Sequence, residues 1–210
     1  MKPLFVVGNG VRLSGARKTL LNLLKKTQIP VVTGPHSGVD IVNESYENYA
    51  GRIGVLGHRS SNKIIQECDL MIAIGTRLGY KMTGYKQGSF AKNAFKILVD
   101  IDEDEMNKEN IEADLKIKSD AKIFLEKLNK HQYKNINIFK WIDKCRGLRK
   151  QETYVFKKHR DLKNYASNYC FVEGLSKLVP ENIPTVTSNG SAHVITLQTM
   201  KLKGNQRLFT

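Results

Sequence analysis

Short apolar runs alternate with amphipathic stretches over the first 130 residues of the chain. Four of these runs are continuously apolar, which is typical of strands buried on both faces of a parallel sheet. They lie at Pro3–Gly8, Ile29–Thr33, Asp69–Gly75 and Phe95–Asp102. The pattern therefore predicts at least four parallel strands in this part of the chain.

Apolar residues spaced three and four positions apart predict helices between these strands. The predicted helices lie over Gly15–Gln28 with Ser14 as its cap, over His58–Cys68, and from a cap at Ser119 or Asp120 through Lys130. In the third helix Ile123 and Leu125 are expected on the core face. Strands and helices in this alternation predict an α/β domain over residues 1–130, with a doubly wound, Rossmann-like parallel sheet covered by helices on both faces.

The pattern changes after residue 130. Residues 131–167 contain no strand pattern and are predicted to form a basic helical linker. A helix over Tyr169–Val179, a strand over Pro184–Thr187 and a helix over Ala192–Met200 follow. One β-α step cannot bury both of its faces. We therefore expect residues 168–210 to be an incomplete β-α piece, the beginning of a second α/β unit, with weakly protected amides.

The positive charge is concentrated in this linker. The 210 residues carry a formal net charge of +14, and the segment 134–163 holds ten basic and three acidic residues, or half of that excess. Trp141, Tyr154 and Phe156 lie among these cations, a combination that can bind a polyanion. Since no nucleic-acid-binding motif accompanies them, we expect a solvated tether, and polyanion binding is the alternative.

Other protein classes are disfavoured by what the sequence contains. We expect no membrane-spanning helix, because no apolar run reaches about 18 residues. The first residues lead directly into a predicted strand and do not resemble a signal peptide. Cys68, Cys145 and Cys170 are widely spaced, so we expect neither a zinc site nor a disulfide framework, and reduced thiols suit a cytoplasmic protein.

Candidate binding residues follow three of the predicted strands. Gly8 and Gly10 stand where a backbone can approach a pyrophosphate, although a tight strand-to-helix turn explains them equally well. Gly75 ends the third predicted strand and Arg77 follows it. An arginine at this position can pair with a phosphate or a carboxylate. Asp100 and Asp102 end a fourth strand, where they can bind ribose hydroxyls or cap the next turn. No catalytic triad or metal-binding spacing is present among the five histidines.

Longer blocks of the sequence carry a family resemblance. Residues 3–16 (PLFVVGNGVRLSGA), 29–42 (IPVVTGPHSGVDIV) and 51–108 (from GRIGVLGHRSSN to FKILVDIDEDEMNK) resemble the central domain of thiamine-diphosphate enzymes, in particular the acetolactate synthase (acetohydroxyacid synthase) group. Residues 168–210 are similar to the opening of the diphosphate-binding domain of the same enzymes. The resemblance covers residues 3–130 nearly end to end.

The resemblance implies two binding regions. Central domains of this family bind FAD or an adenine nucleotide in some members, and the matching positions here are Gly8, Gly10, Gly75, Arg77, Asp100 and Asp102. The turn Asn189, Gly190 and Ser191 matches the segment that approaches the diphosphate of thiamine diphosphate. Flavin-binding members have an acidic pair where this chain has Leu78-Gly79-Tyr80-Lys81. A central domain without flavin is therefore the favoured expectation.

The resemblance also implies a reaction and partners. It implies a thiamine-diphosphate- and magnesium-dependent enzyme that decarboxylates a 2-oxo acid, as a cytoplasmic homo-oligomer (dimer or tetramer). The family's catalytic glutamate and its GDG metal site lie in other segments, so we expect this chain to act with the rest of a parent enzyme and to be inactive alone. The alternative is a stand-alone module that binds FAD, ADP or NAD without catalysis.

Overall fold

The computed structural model describes residues 1–36, 38–109, 111–133 and 137–209. Six strands form one sheet in the order β3-β2-β1-β4-β5-β6, and every neighbouring pair is parallel. They are β1 Pro3–Val7, β2 Val31–Thr33, β3 Tyr49–Arg52, β4 Leu70–Ile74, β5 Phe95–Asp100 and β6 Leu115–Lys118. The order reverses between β1 and β4, as in a doubly wound Rossmann-like sheet, so the predicted fold class is confirmed.

Helices surround this sheet and continue towards the C-terminus. They are α1 Gly10–Leu13, α2 Arg17–Thr27, α3 Arg59–Glu67, α4 Tyr80–Thr83, a 3₁₀ turn Gln87–Ser89, α5 Glu103–Met106, α6 Ala121–Lys130, α7 Phe139–Lys150, α8 Lys157–Arg160, α9 Asn168–Leu178 and α10 Ser191–Thr199. Two short strands, β7 Thr185–Val186 and β8 Leu208–Phe209, form a separate parallel pair. Within the described ranges, no helix is both long and apolar enough to span a bilayer.

The first strand shows why the sheet is covered on both faces. All five residues of β1 are buried, and successive side chains point to opposite faces. Leu4 and Val6 pack in one apolar cluster with Ile64 and Ile65 of α3. Phe5 and Val7 pack in a second cluster, with the leucines of α2. The continuously apolar strand pattern therefore reflects two cores, one on each face.

Several local expectations are corrected by the structure. Ser14 does not cap α2; its hydroxyl donates to the carbonyl of Val11 (3.2 Å) at the end of α1, and α2 begins at Arg17 without a side-chain cap. Asp120 caps α6 and accepts hydrogen bonds from the amides of its first turn. Ile123 of α6 is half exposed, whereas Leu125 is fully buried.

The basic linker is not a solvated tether throughout. In α7 Trp141, Ile142 and Cys145 are buried, and the indole Nε1 of Trp141 donates to the carbonyl of Pro3 (2.9 Å). The helix therefore completes the core; Arg146 pairs with an exposed glutamate at its surface, whereas Arg149 is largely buried and contacts the imidazole of His58 (2.8 Å). The first three residues of the segment 134–163 lie outside the described residues.

The C-terminal segment packs against the sheet domain on one side, where its apolar residues have neighbours, whereas Phe171, Leu178 and Val186 stay exposed. Strand β8 pairs with β7, and an apolar cluster joins this segment to Val39 of the sheet domain. The other buried members of that cluster are Val172, Ile195, Leu197, Met200, Leu202 and Leu208. The buried apolar surface stabilises the contact between the two parts of the chain.

Buried polar groups fix the end of α10 to the same domain. The guanidinium of Arg52 is fully buried and donates to the carbonyls of Leu197 (2.7 Å) and Met200 (3.0 Å). The imidazole Nε2 of His58 lies 3.2 Å from the carbonyl of Gln198. Burial and two neighbouring arginines lower the pKa of His58 well below its usual value, so the ring is neutral and Nε2 carries the proton.

Candidate functional site

A cavity of about 600 Å³ opens at the carboxyl edge of the sheet, where the strand order reverses. Open α/β sheets bind ligands at this position, because the loops on the two sides of the reversal separate there. The cavity has the size of a small-molecule site. Six residues that the sequence singled out line it, namely Gly8, Gly10, Gly75, Arg77, Asp100 and Asp102.

The three glycines allow two loops to touch each other. A Cβ at Gly8 would lie 2.4 Å from the carbonyl oxygen of Gly75, and one at Gly10 would lie 2.7 Å from the Cα of Gly75. Gly75 itself has a φ of +56°, a conformation that side chains rarely adopt. The close contact between the loops after β1 and β4 therefore requires glycine whether or not a ligand is bound.

The backbone amides of this turn are already used. The amide of Gly10 donates to the carbonyl of Gly75 (2.9 Å), that of Val11 to Gly8 (3.2 Å), and that of Arg12 to Asn9 (2.9 Å). A phosphate would thus find few free donors at the start of α1, which has only four residues. An anion in this cavity would therefore be bound mainly by side chains.

Charged side chains of both signs face the cavity. Arg77 and Lys81 stand opposite three carboxylates, those of Asp100, Asp102 and Glu105. Arg77 is largely exposed, and its Nε lies 3.6 Å from Oε1 of Glu105. Asp102 caps α5, since its Oδ1 accepts the amide of Asp104 (3.0 Å). The capping alternative is thus present in the structure, and a contact of Asp102 with ribose stays a prediction.

Two histidines that the sequence did not connect meet beside this cavity. His36 lines it after β2, and the ring of His193 from α10 stacks on His36 with a centroid distance of 5.0 Å. Burial, followed by the charge of Lys81, lowers the pKa of both imidazoles. Both rings are therefore neutral at pH 7, and they carry no fixed charge towards an anion. Their distance along the chain gave no spacing signal.

The turn Asn189–Ser191 lies apart from the cavity. All three residues are exposed, and none of them lines it. The side chain of Asn189 accepts the amide of Gly190 (2.7 Å), and α10 begins at Ser191. Within the described part of the chain, the amide of Ser191 makes no hydrogen bond. This turn therefore offers a free amide at a helix N-terminus, as an anion would require.

Other reactive side chains do not form a second centre. In the described ranges, no three His, Cys, Asp or Glu side chains are grouped as metal ligands. Cys68 and Cys145 are free and buried, and burial raises the pKa of both thiols to about 12. These thiols are protonated at neutral pH, so neither is an activated nucleophile.

Comparison with known proteins points to one family. The family description "Thiamine pyrophosphate enzyme, central domain" matches residues 1–128. A probable acetolactate synthase large subunit from Methanococcus aeolicus is 35% identical over 165 residues, which covers 73% of this chain and 27% of that protein. The acetolactate synthase isozyme 2 large subunit of Escherichia coli (strain K12) is 34% identical over 155 residues, covering 74% of this chain and 27% of that protein.

A shorter match involves a different activity. The 3D-(3,5/4)-trihydroxycyclohexane-1,2-dione hydrolase of Listeria innocua is 47% identical over 75 residues, or 36% of this chain and 12% of that protein. The chain spans about a quarter of the length of the acetolactate synthase subunits that it matches. None of these relatives favours the alternative of a nucleotide-binding module without catalysis.

Proposed function

Because this chain belongs to the thiamine pyrophosphate enzyme family, whose central domain it matches over residues 1–128, we propose that it forms the central domain of a 2-oxo acid decarboxylase or carboligase. The observation that carries the proposal is the similarity to acetolactate synthase large subunits over about three quarters of the chain. The six-stranded parallel sheet supports it, because that sheet is the framework for a ligand site at its carboxyl edge.

The cofactor of the family is thiamine diphosphate, and we propose that its diphosphate approaches the C-terminal segment of this chain, while the magnesium ion is held by another segment of the parent enzyme. The exposed turn Asn189–Ser191 fits an anionic group, because the amide of Ser191 is free at the start of a nine-residue helix. When bound, thiamine diphosphate supplies the group that stabilises the negative charge formed on decarboxylation. The residues of this chain would hold the diphosphate end and exclude part of the solvent.

For the sheet-edge cavity we propose an adenine nucleotide as ligand, ADP rather than FAD, because Leu78-Gly79-Tyr80-Lys81 stands where flavin-binding members have an acidic pair. Asp100 and Asp102 line the cavity, and we assign them to ribose hydroxyls; Arg77 and Lys81, which also line it, are the cations that we assign to the phosphates. Three carboxylates face these two cations, so the charge balance gives a phosphate little net attraction. We therefore expect weaker binding than at a site built from free backbone amides.

Calorimetric titration of the purified chain with FAD, ADP and NAD tests the nucleotide proposal. We expect binding of ADP that weakens about tenfold in Arg77→Ala, because one charge-assisted contact is lost. Lys92→Ala is the matched control, since Lys92 is exposed and does not line the cavity. If titration with none of the three nucleotides produced heat, the nucleotide proposal would be wrong, and the central domain would have a scaffold role only.

The enzymatic proposal needs the rest of a parent enzyme, which we place in the cytoplasm as a homo-oligomer. We expect the chain alone, with thiamine diphosphate and magnesium, to release no CO₂ from pyruvate, because we assign the catalytic groups to other segments. A full-length subunit containing this sequence should do so. Turnover by the chain alone above a buffer blank would contradict this division of roles.

A further inference from the structure

A second cleft, of about 540 Å³, lies between three parts of the chain that are distant in sequence. Its walls come from the start of α3, from the residues around α8, and from α9 with α10. It shares no lining residue with the sheet-edge cavity. The docking of the C-terminal segment on the sheet domain thus creates a separate space that could hold a small molecule.

The charge in this cleft has one sign. Arg59 and Lys158 line it, and no carboxylate side chain does. Neither cation forms an ion pair with any residue that the structure describes, although the ammonium of Lys158 lies over one face of the Phe156 ring, 5.9 Å from its centroid. Nearby, Arg160 is held by both carboxylate oxygens of Glu173. Two unpaired cations that face a cleft without carboxylates favour an anionic ligand.

The backbone amides of Arg59 and Ser60 at the start of α3 are already hydrogen-bonded and are not free to bind that anion. The hydroxyl of Tyr154 accepts the amide of Arg59 (3.1 Å), and the carboxylate of Glu152 accepts the amide of Ser60 (2.6 Å). Burial raises the pKa of Tyr154 to about 12, so the phenol stays neutral and donates to the carbonyl of Gly57 (3.3 Å). The two cationic side chains are therefore the groups left to bind a negative charge.

Flat aromatic surfaces form the rest of the wall. The ring of His159 stacks on Tyr169 with a centroid distance of 4.8 Å, and the ring of Phe156 is 43% exposed. The amide of Phe156 donates to Nδ1 of His159 (3.2 Å), which leaves Nε2 for a ligand. The hydroxyl of Tyr169 donates to Oε1 of Gln198 (3.1 Å), so the amide NH₂ of Gln198 is an available donor.

We propose that this cleft binds a mononucleotide. A nucleoside monophosphate matches its three chemical features: phosphate oxygens for Arg59 and Lys158, an aromatic base to stack on Phe156, and polar base edges for Gln198. The volume of the cleft lies within the range of small-ligand sites. This binding is independent of the nucleotide proposed at the sheet edge, which would contact different residues.

Titration of the full chain with AMP tests the proposal. We expect saturable binding that weakens about tenfold in Arg59→Ala and in Lys158→Ala, because each variant removes one charge-assisted contact. Lys63→Ala is the matched control, because Lys63 is an exposed cation on the same helix as Arg59 but outside the cleft; its affinity should not change. Phe156→Ala should weaken AMP but leave inorganic phosphate unaffected.

Three results would overturn the proposal. AMP binding that is equal in the unchanged chain, Arg59→Ala and Lys158→Ala would show that the cleft is not the site. Binding lost in Arg77→Ala but kept in Arg59→Ala would place AMP at the sheet edge instead, which separates this proposal from the preceding one. Displacement by inorganic phosphate at the affinity of AMP would show that the base contributes nothing.

Discussion

Asp40 is a buried carboxylate that joins the loop after β2 to the two ends of the chain. Its side chain is 3% exposed, and Oδ1 accepts a hydrogen bond from Arg12 (2.5 Å) near the sheet-edge cavity. Oδ2 accepts from Nε of Arg207 (2.6 Å) and from the amide of Leu208 (3.2 Å) in β8. Replacement by Asn keeps the volume but turns an acceptor into a donor that faces an arginine.

The magnitude depends on how well the two arginines can reach water. Removal of one partner from a buried ion pair costs about 3–5 kcal/mol. The side chains of Arg12 and Arg207 are 22% and 39% exposed, so water can partly solvate them when the carboxylate is gone. We therefore expect Asp40→Asn to lower the free energy of unfolding by about 2–3 kcal/mol, and the melting temperature by about 5–10 °C.

Urea denaturation and hydrogen exchange measure this effect. Asp69→Asn is the matched control, because Asp69 also accepts a backbone amide, that of Lys2 (2.6 Å), but is about half exposed. That variant should lose less than about 1 kcal/mol. In Asp40→Asn the amides of β8 should exchange faster, whereas those of β4 should follow only the change in global stability.

The reasoning would be refuted if both variants lost the same free energy. It would also be refuted if Asp40→Asn stayed within about 0.5 kcal/mol of the unchanged chain, a range typical of surface substitutions. Either result would mean that the two arginines find equivalent partners without the carboxylate, and that Asp40 does not hold the C-terminal strand.

Three further predictions concern His58, Trp141 and Gly10. His58 is neutral in the folded chain with a pKa below that of the unfolded chain, so the free energy of unfolding should fall below about pH 6.5, by up to about 1.4 kcal/mol per pH unit, in urea titrations. Trp141→Phe should cost about 1–3 kcal/mol, because a buried carbonyl in β1 loses its donor, and the single tryptophan should show blue-shifted emission that unfolding reverses. Gly10→Ala should lower the melting temperature, because its Cβ would overlap Gly75, whereas Gly147→Ala in α7 has open space and should raise stability by up to about 1 kcal/mol.

Each of these predictions has a control and a contradicting result. Replacement of His58 by Gln should reduce the loss of stability at low pH, and an unchanged pH profile would show that other groups cause it. Emission of the unchanged chain that iodide quenches as strongly as free tryptophan would contradict the burial of Trp141. Equal melting temperatures for the two glycine variants would contradict the close contact of Gly10 with Gly75.

Strands buried on both faces could be predicted because their pattern is local. The apolar runs around Leu4 and Met71 contain no polar residue that would mark a solvent-facing side. Strands β1 and β4 appear where these runs predict them. Strand β3 escaped prediction, because Tyr49–Arg52 has no apolar run and Arg52 is buried only through partners far along the chain. Strand β6 lies at the sheet edge, where Leu115 and Ile117 alternate with lysines and give a weak signal.

The candidate site likewise combines residues that a local pattern predicts with contacts that it does not. Gly8, Gly75 and Asp100 were predictable because each follows an apolar run, and the carboxyl ends of parallel strands meet at one sheet edge. The hydrogen bond of the Gly10 amide was not predictable, because its acceptor is the carbonyl of Gly75 in the loop after β4. That bond exists only after β1 and β4 are paired, whereas the amides of Val11 and Arg12 use local acceptors.

By itself, the sequence determined the doubly wound sheet, the residues at its carboxyl edge and the family resemblance, because periodicity and motifs are properties of neighbouring residues. The tertiary structure alone decided that Trp141 is buried, that His36 meets His193, and that Asp40 pairs with both ends of the chain. These contacts join residues far apart in sequence. They form only when the packed sheet brings those residues together, so no local pattern records them.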